Sequence, residues 1–289
     1  MKNYNKKSVV FYYDVLTEPY RHFWGDFFHP GIFENSRETL RNALSRTHEL
    51  LLKDSKLNSS SIAIDLGCGI GSLCFLISKR IGCKVVGANF SKFQLKIARK
   101  LAKKYKLGNV EFRDIDVSQI KTPKDTFDAA FLIDVACHFP NKKKALENIF
   151  KIIKPGGRLI VMDWLQKDSL NLFEKELLIK PFNKYWNFPY IESFEGYQKL
   201  FRKVGFKIVK AYDITNKVKR NWEMFYDIAL REVGRMSIRK MITYIKNPLM
   251  ALNKRKYEKI AENQFYANIF AKICSDARLF KYGYFVLEK

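Results

Sequence analysis

Residues 63–71 read AIDLGCGIG, an apolar run closed by Asp65 and followed by Gly67, Gly69 and Gly71 at alternate positions. Glycines at such a turn let the backbone bend sharply and approach a nucleotide-like ligand closely. The spacing is GxGxG after an acidic residue, not the GxGxxG that opens on a pyrophosphate, and no Walker lysine follows. This favours a ligand with an amino group over one with phosphates. Asp65 can organise the loop and hold an ammonium, or serve only as a turn cap. A second pair, Asp134 and His138, stands four residues apart at the end of the apolar run FDAAFLID. A third group is aromatic: eight of the 18 residues from 11 to 28 are Phe, Tyr or Trp, more than one helix face needs, so this stretch reads as a pocket lid.

These residues need a scaffold, and the apolar pattern supplies one. The runs IAIDL, KVVGAN, VEFRDID, FDAAFLID, RLIVMDW, FKIVKAYDI and GYFVLEK alternate with longer amphipathic segments. That alternation predicts an α/β fold with a parallel sheet and crossover helices. Ser91 can cap a helix whose stripe is Leu95, Ala98, Leu101, Ala102 and Tyr105. Pro140 and Asn141 start another, carrying Leu146, Ile149, Phe150 and Ile153, and the PGG turn at 155–157 closes it before the fifth strand. Residues 1–60 read as a helical, aromatic lid containing a helix over 36–53. Residues 61–289 form the main domain, with cap insertions at about 166–200 and 217–277.

The composition narrows the function classes. The chain has 289 residues, 47% hydrophobic and 28% charged, which is ordinary for a folded protein with a sizeable core. No run approaches the ~18 apolar residues of a membrane span, and the start MKNYNKKSVVFYYDV has no long apolar h-region, so a cytoplasmic protein is expected. Five cysteines without a CxxC and four histidines without metal spacing predict buried thiols and no protein-held metal. The net charge of +24 would attract nucleic acid, anionic lipid or a phosphorylated substrate, or reflects only lysines scattered over solvent faces. Residues 231–260 carry nine basic and two acidic residues among Met, Ile and Leu. Such a stretch can touch an anionic membrane peripherally, or be a cap helix with a solvated face. No nucleic-acid module is visible. NFPY at 187–190 falls after the fifth strand and lacks the first proline of an NPPY-like string.

In order and spacing these segments resemble the class I S-adenosylmethionine-dependent methyltransferases. Within that group, YYDVLTEPYRHFWGDFFH, DLGCGIG, VGANFSKFQ, IDVACHFPN and MDWLQKD, spread over residues 11–168, look most like sterol and neighbouring isoprenoid C-methyltransferases. The resemblance implies a Rossmann-like, seven-stranded, mostly parallel sheet with helices on both faces, and S-adenosyl-L-methionine as cofactor. It places Asp65, Gly67, Gly69 and Gly71 in the cofactor turn. The family's second strand usually ends in an acid that takes the ribose hydroxyls; here it ends in Asn89, with Gln94 five residues on. Asp116, beside Val117, falls at the acid that meets the adenine amino group, with Asp114 as the fallback. Tyr13 would cover the cofactor and reach the catalytic centre, Asp134 would be the base and His138 its neighbour. The implied reaction is C-methylation of an alkene in a small lipophilic isoprenoid, sterol-like or a prenyl diphosphate, which leaves a carbocation. Tyr20, Phe23, Trp24 and Phe28 could stabilise that cation through their ring faces, and the basic excess would suit a diphosphate. Sterol enzymes generally have Glu where this chain has Asp134, carry a fuller motif around Trp24 and are longer. The alternative is N- or O-methylation of a small amphiphile; a nucleic-acid methyltransferase is disfavoured.

Overall fold

The computed structural model describes residues 6–116, 120, 122–233 and 254–289. All seven apolar runs are strands: β1 Ile62–Leu66, β2 Lys84–Asn89, β3 Val110–Asp114, β4 Phe127–Ile133, β5 Ile153–Gln166, β7 Lys207–Asp213 and β8 Phe280–Glu288, with a two-residue β6, Glu192–Ser193, added beside β5. Their order is β3-β2-β1-β4-β5-β8-β7, and β8 alone runs antiparallel to its neighbours. From the β1–β4 pair the chain winds outward in both directions, through β2 and β3 on one side and β5 on the other. The carboxyl ends of β1 and β4 therefore flank the topological switch point, where open α/β sheets hold ligands.

The strands read as continuous apolar runs because helices cover both faces. One face packs Ala63, Phe131, Ile160, Met162 and Trp164 with Cys74 and Ile77 of helix α3 (Ser72–Ile81). The other packs Ile64, Leu66, Ala130 and Leu132 with Leu146 and Ile149 of α5 (Lys142–Ile152) and Tyr197 and Phe201 of α7 (Phe194–Val204). Ser91 caps α4 (Lys92–Lys104) by accepting from the Gln94 N–H, and Asn141 caps α5 in the same manner through the Lys144 N–H.

Two boundaries differ from the sequence expectation. The helix expected over 36–53 is α2, Leu40–Ser55, because Thr39 is extended and takes the Asn42 N–H as its cap. The PGG triplet is inside β5, where Gly156 adopts φ 76° and the β4–β5 register shifts between Phe127 and Ala129. The insertion after β5 contains a π-helical stretch, Glu174–Ile179, running into α6, Lys180–Tyr185. The second insertion begins with α8, Thr215–Val233, and closes with α9, Lys254–Asp276. Val117 and most of the basic 231–260 stretch lie outside the described residues. At the N-terminus, α1 (Lys6–Trp24) packs Tyr12, Val15 and Leu16 against Ile260 of α9. All five cysteines are buried and free. Among the described residues no helix is long and apolar enough to cross a membrane.

Candidate functional site

The glycine turn joins β1 to α3. Gly67, Gly69 and Gly71 have φ of 83°, 55° and 89°, a left-handed region that strains any other residue. The Gly67 and Cys68 N–H groups both donate to the Ala88 carbonyl, at 2.7 and 3.0 Å, which ties the turn to the end of β2. A Cβ at Gly67 would lie 2.4 Å from Val135 Cγ2 and one at Gly71 2.5 Å from the Phe112 ring, so these two glycines serve close packing. A Cβ at Gly69 would meet only the Phe28 ring, at 3.8 Å, across a cavity lined by both residues. Gly69 is thus where bare backbone faces the cavity.

That cavity opens to solvent and reaches from the glycine turn to the rings beside Asp134. One wall is polar. Asp65 is buried, its Oδ2 accepts from the Cys74 thiol at 3.5 Å, and burial pushes its carboxyl up to about 7. Asn89 Nδ2 donates to Gln94 Oε1 at 2.8 Å and to the Gly69 carbonyl at 3.3 Å, while its Oδ1 accepts the Phe90 N–H at 2.8 Å. Gln94 Nε2 in turn donates to Thr17 Oγ1 on α1, at 2.9 Å. The two amides therefore tie the glycine turn to β2, α4 and α1; both reach the cavity wall. Asp116 lines the same wall and pairs with Lys6 Nζ at 2.7 Å. Asp114 is exposed and 3.9 Å from Lys92 Nζ, outside the lining.

The opposite wall starts at Asp134, the first residue beyond β4. Its φ of 56° turns the chain out of the sheet, its N–H donates to the Met162 carbonyl at 2.9 Å, and its Oδ1 accepts from the Tyr282 hydroxyl at 2.7 Å. Burial, followed by the nearby Asp163 carboxyl, raises Asp134 to about 8 against the opposing Tyr282 bond. A 3-10 turn, Ala136–His138, then places His138 Nε2 2.8 Å from the Tyr13 hydroxyl. Burial pushes His138 down to about 3, the Asn187 backbone offsetting only part, so the ring is neutral at physiological pH. Burial likewise keeps the Tyr13 phenol protonated.

Tyr20 and Phe28 line this region, but two expected lining residues do not. Trp24 is a buried backing residue, stacked on Phe225 at 4.1 Å with its indole N–H on the His29 carbonyl. Phe23 is 38% exposed and packs on His22, because consecutive residues leave a helix about 100° apart and only Trp24 turns inward. In their place stand rings not singled out for the pocket from sequence: Trp164 on β5, Trp186 and Phe188 in the first cap, Trp222 and Phe225 on α8. The aromatic richness of the cap was the available signal for Trp186 and Phe188. Trp222 and Phe225, three apart on a helix, carried no distinguishing one. The charged residues on the described lining are carboxylates, Asp26, Asp65, Asp116 and Asp134, with no Lys or Arg among them.

Behind the wall, Lys142 is fully buried and donates to the Phe139 and Tyr190 carbonyls at 3.3 and 3.0 Å, 3.8 Å over the Tyr190 ring. Burial lowers it to about 8. Within the NFPY string, Phe188 lines the cavity and the Tyr190 carbonyl is tied to Lys142 at the start of α5.

Residues 57–204 match the methyltransferase-domain family. The chain is 30% identical over 170 residues to the sterol 24-C-methyltransferase of Saccharomyces cerevisiae, covering 58% of this chain and 44% of that protein. It spans about half the length of the curated relatives it matches. A mycolic acid cyclopropane synthase complexed with SAH and CTAB superposes with a TM-score of 0.82 over 100% of both chains at 15% identity. The geranyl diphosphate C-methyltransferase of Streptomyces coelicolor A3(2), in complex with Mg2+, geranyl diphosphate and S-adenosyl-L-homocysteine, gives 0.68 at 14% identity, over 98% of this chain and 96% of that one. At those identities the solved structures speak to the fold, whereas the family match runs from just past α2 through α7 and includes the glycine turn, Asp116 and Asp134. The chain belongs to the methyltransferase-domain family.

Proposed function

We propose that this protein uses S-adenosyl-L-methionine to methylate an alkene carbon of a lipophilic, sterol-like isoprenoid. The observation that carries the reading is one cavity with two unlike walls, a polar glycine-turn wall and an aromatic wall, meeting at the half-buried Asp134. The residues suit the cofactor: Gly69 offers bare backbone, Asp65 is a buried acid that an ammonium would ionise, and Asn89, Gln94 and Asp116 add polar side chains along the same wall. When bound, S-adenosyl-L-methionine supplies an electrophilic methyl group on a positively charged sulfur.

The chain's part is to orient the acceptor and keep water out. Methylating one alkene carbon leaves a cation on its partner, and the faces of Tyr20, Phe28, Trp164 and Trp222 can stabilise it without reacting. His138, neutral at physiological pH, adds no opposing positive charge. Asp134 in its ionised form accepts a proton from the neighbouring carbon, and the released C–H electron pair forms the new double bond. The described lining favours an uncharged acceptor over a diphosphate, since no Lys or Arg stands on it to pair with phosphate oxygens. The sterol-methylating relative agrees with this choice.

The test is mass spectrometry of organic extracts after incubation with methyl-deuterated cofactor and a panel of sterols, prenyl diphosphates and small amines. Label on an isoprenoid carbon is expected. Label confined to nitrogen or oxygen would replace the alkene mechanism with the amphiphile reading.

A further inference from the structure

Asp134 is held in a strained place. A left-handed backbone at a non-glycine residue is strained, and the half-buried Asp134 that adopts it lines the cavity. One hydroxyl meets it there, that of Tyr282, 2.7 Å from Oδ1. Tyr282 is fully buried on β8, opposite Trp164 in the β5–β8 register, and does not line the cavity. Its own N–H donates to Thr215 Oγ1 and its carbonyl accepts the Ile214 N–H, both at 2.9 Å. Its ring packs beside the adjoining Trp164 and Trp222 rings, with centroids 6.1 and 6.0 Å away. The hydroxyl is thus positioned by groups on β5, α8 and the residue joining β7 to α8 before any ligand arrives.

A side-chain hydrogen bond from Trp164 also favours the ionised form, whereas the other titratable groups around Asp134 give its charge no such support. Tyr13 and Tyr20 from α1 and the Cys137 thiol in the 3-10 turn are held in their neutral forms by burial. His138 is neutral as well, and Asp163 from β5 opposes ionisation. We propose that Tyr282 is a positioning residue that aims the Asp134 carboxylate into the cavity and stabilises its ionised form through this hydrogen bond. It acts through Asp134 alone and touches neither cofactor nor acceptor. The catalytic consequence rests on the function proposed above; the effect on Asp134 does not.

Tyr282→Phe removes the hydroxyl and keeps the ring. Losing a bond to the charged form raises a carboxyl pKa, so the rising limb of kcat/KM against pH should move up by about one unit, with kcat at neutral pH down roughly tenfold. The KM for the cofactor should hold. Carboxyl carbon NMR on the full chain, assigned with Asp134→Asn, should show the same upward move of the Asp134 titration without any turnover. A variant that melts earlier but leaves both the titration and the pH limb in place would overturn the proposal, since that is what a packing role alone predicts. A fully active Asp134→Asn protein would overturn the base assignment instead, while a shifted Asp134 titration in Tyr282→Phe would still support the positioning role.

Discussion

Between β1 and the residues just past β3, consecutive elements supply the polar wall: Asp65 and the glycine turn, then Asn89 and Gln94, then Asp116. The aromatic wall instead gathers Tyr20, Phe28, Trp164, Trp186, Phe188, Trp222 and Phe225 from the lid, β5, the first cap and α8. The first wall works through backbone shape and short polar bridges, so each position has a narrow requirement. The second works through ring area, for which several side chains share the load. The polar wall should therefore be brittle to single changes and the aromatic wall tolerant, with Asp134 the exception at their seam.

The largest effect is expected at that seam. Asp134→Asn should cut product formation by about a hundredfold or more while calorimetric cofactor affinity changes less than about twofold; full activity would remove Asp134 from the chemistry. Next comes the packed part of the polar wall. Gly71→Ala places a Cβ 2.5 Å from the Phe112 ring at φ 89°, which should lower stability by about 2 kcal/mol or more in urea unfolding. Gly69→Ala, open to the cavity, should lose only about 1 kcal/mol but bind cofactor more weakly. If both variants lost the same stability, the division between packing and ligand-facing glycines would be wrong.

The acids at the two walls set a pH dependence. Burial raises Asp65 to about 7 and Asp134 to about 8 in the folded chain, above their unfolded carboxylate range. Their stabilising effect is therefore fully present below that range and lost as pH rises through 7 and 8. Thermal melts of ligand-free protein should fall across this window, and Asp134→Asn should flatten the upper part of the fall. An unchanged slope in the variant would mean that Asp134 is not the group being ionised. The smallest effect belongs to Phe23→Ala. With Phe23 38% exposed and off the lining, activity should stay within about twofold and stability within about 0.5 kcal/mol, whereas Trp24→Ala should lose about 3 kcal/mol. Equal losses would restore Phe23 to the pocket.

Much of the scaffold was readable in advance because its signals are local. Alternating apolar runs and amphipathic segments mark strands and crossover helices, and Ser91 and Asn141 cap their helices as their types predict. The PGG triplet misled because a glycine turn looks the same whether it ends a helix or bulges a strand; pairing with β4 put it inside β5. Asn89 shows the limit within a motif. Its position at the end of β2 could be read, but not that its amide would bridge Gln94 and the Gly69 carbonyl.

By itself, the sequence determined the strand runs, the left-handed glycine turn and the acids at the ends of β1 and β4, because backbone preference and hydrophobic period are properties of short segments. Only the tertiary structure decided which rings form the aromatic wall, that Trp24 backs it while Phe23 leaves it, and that Tyr282 on the last long strand reaches Asp134 across 148 residues of chain. Those contacts depend on sheet order and on how the caps settle over the sheet, and neither is written in the spacing of neighbouring residues.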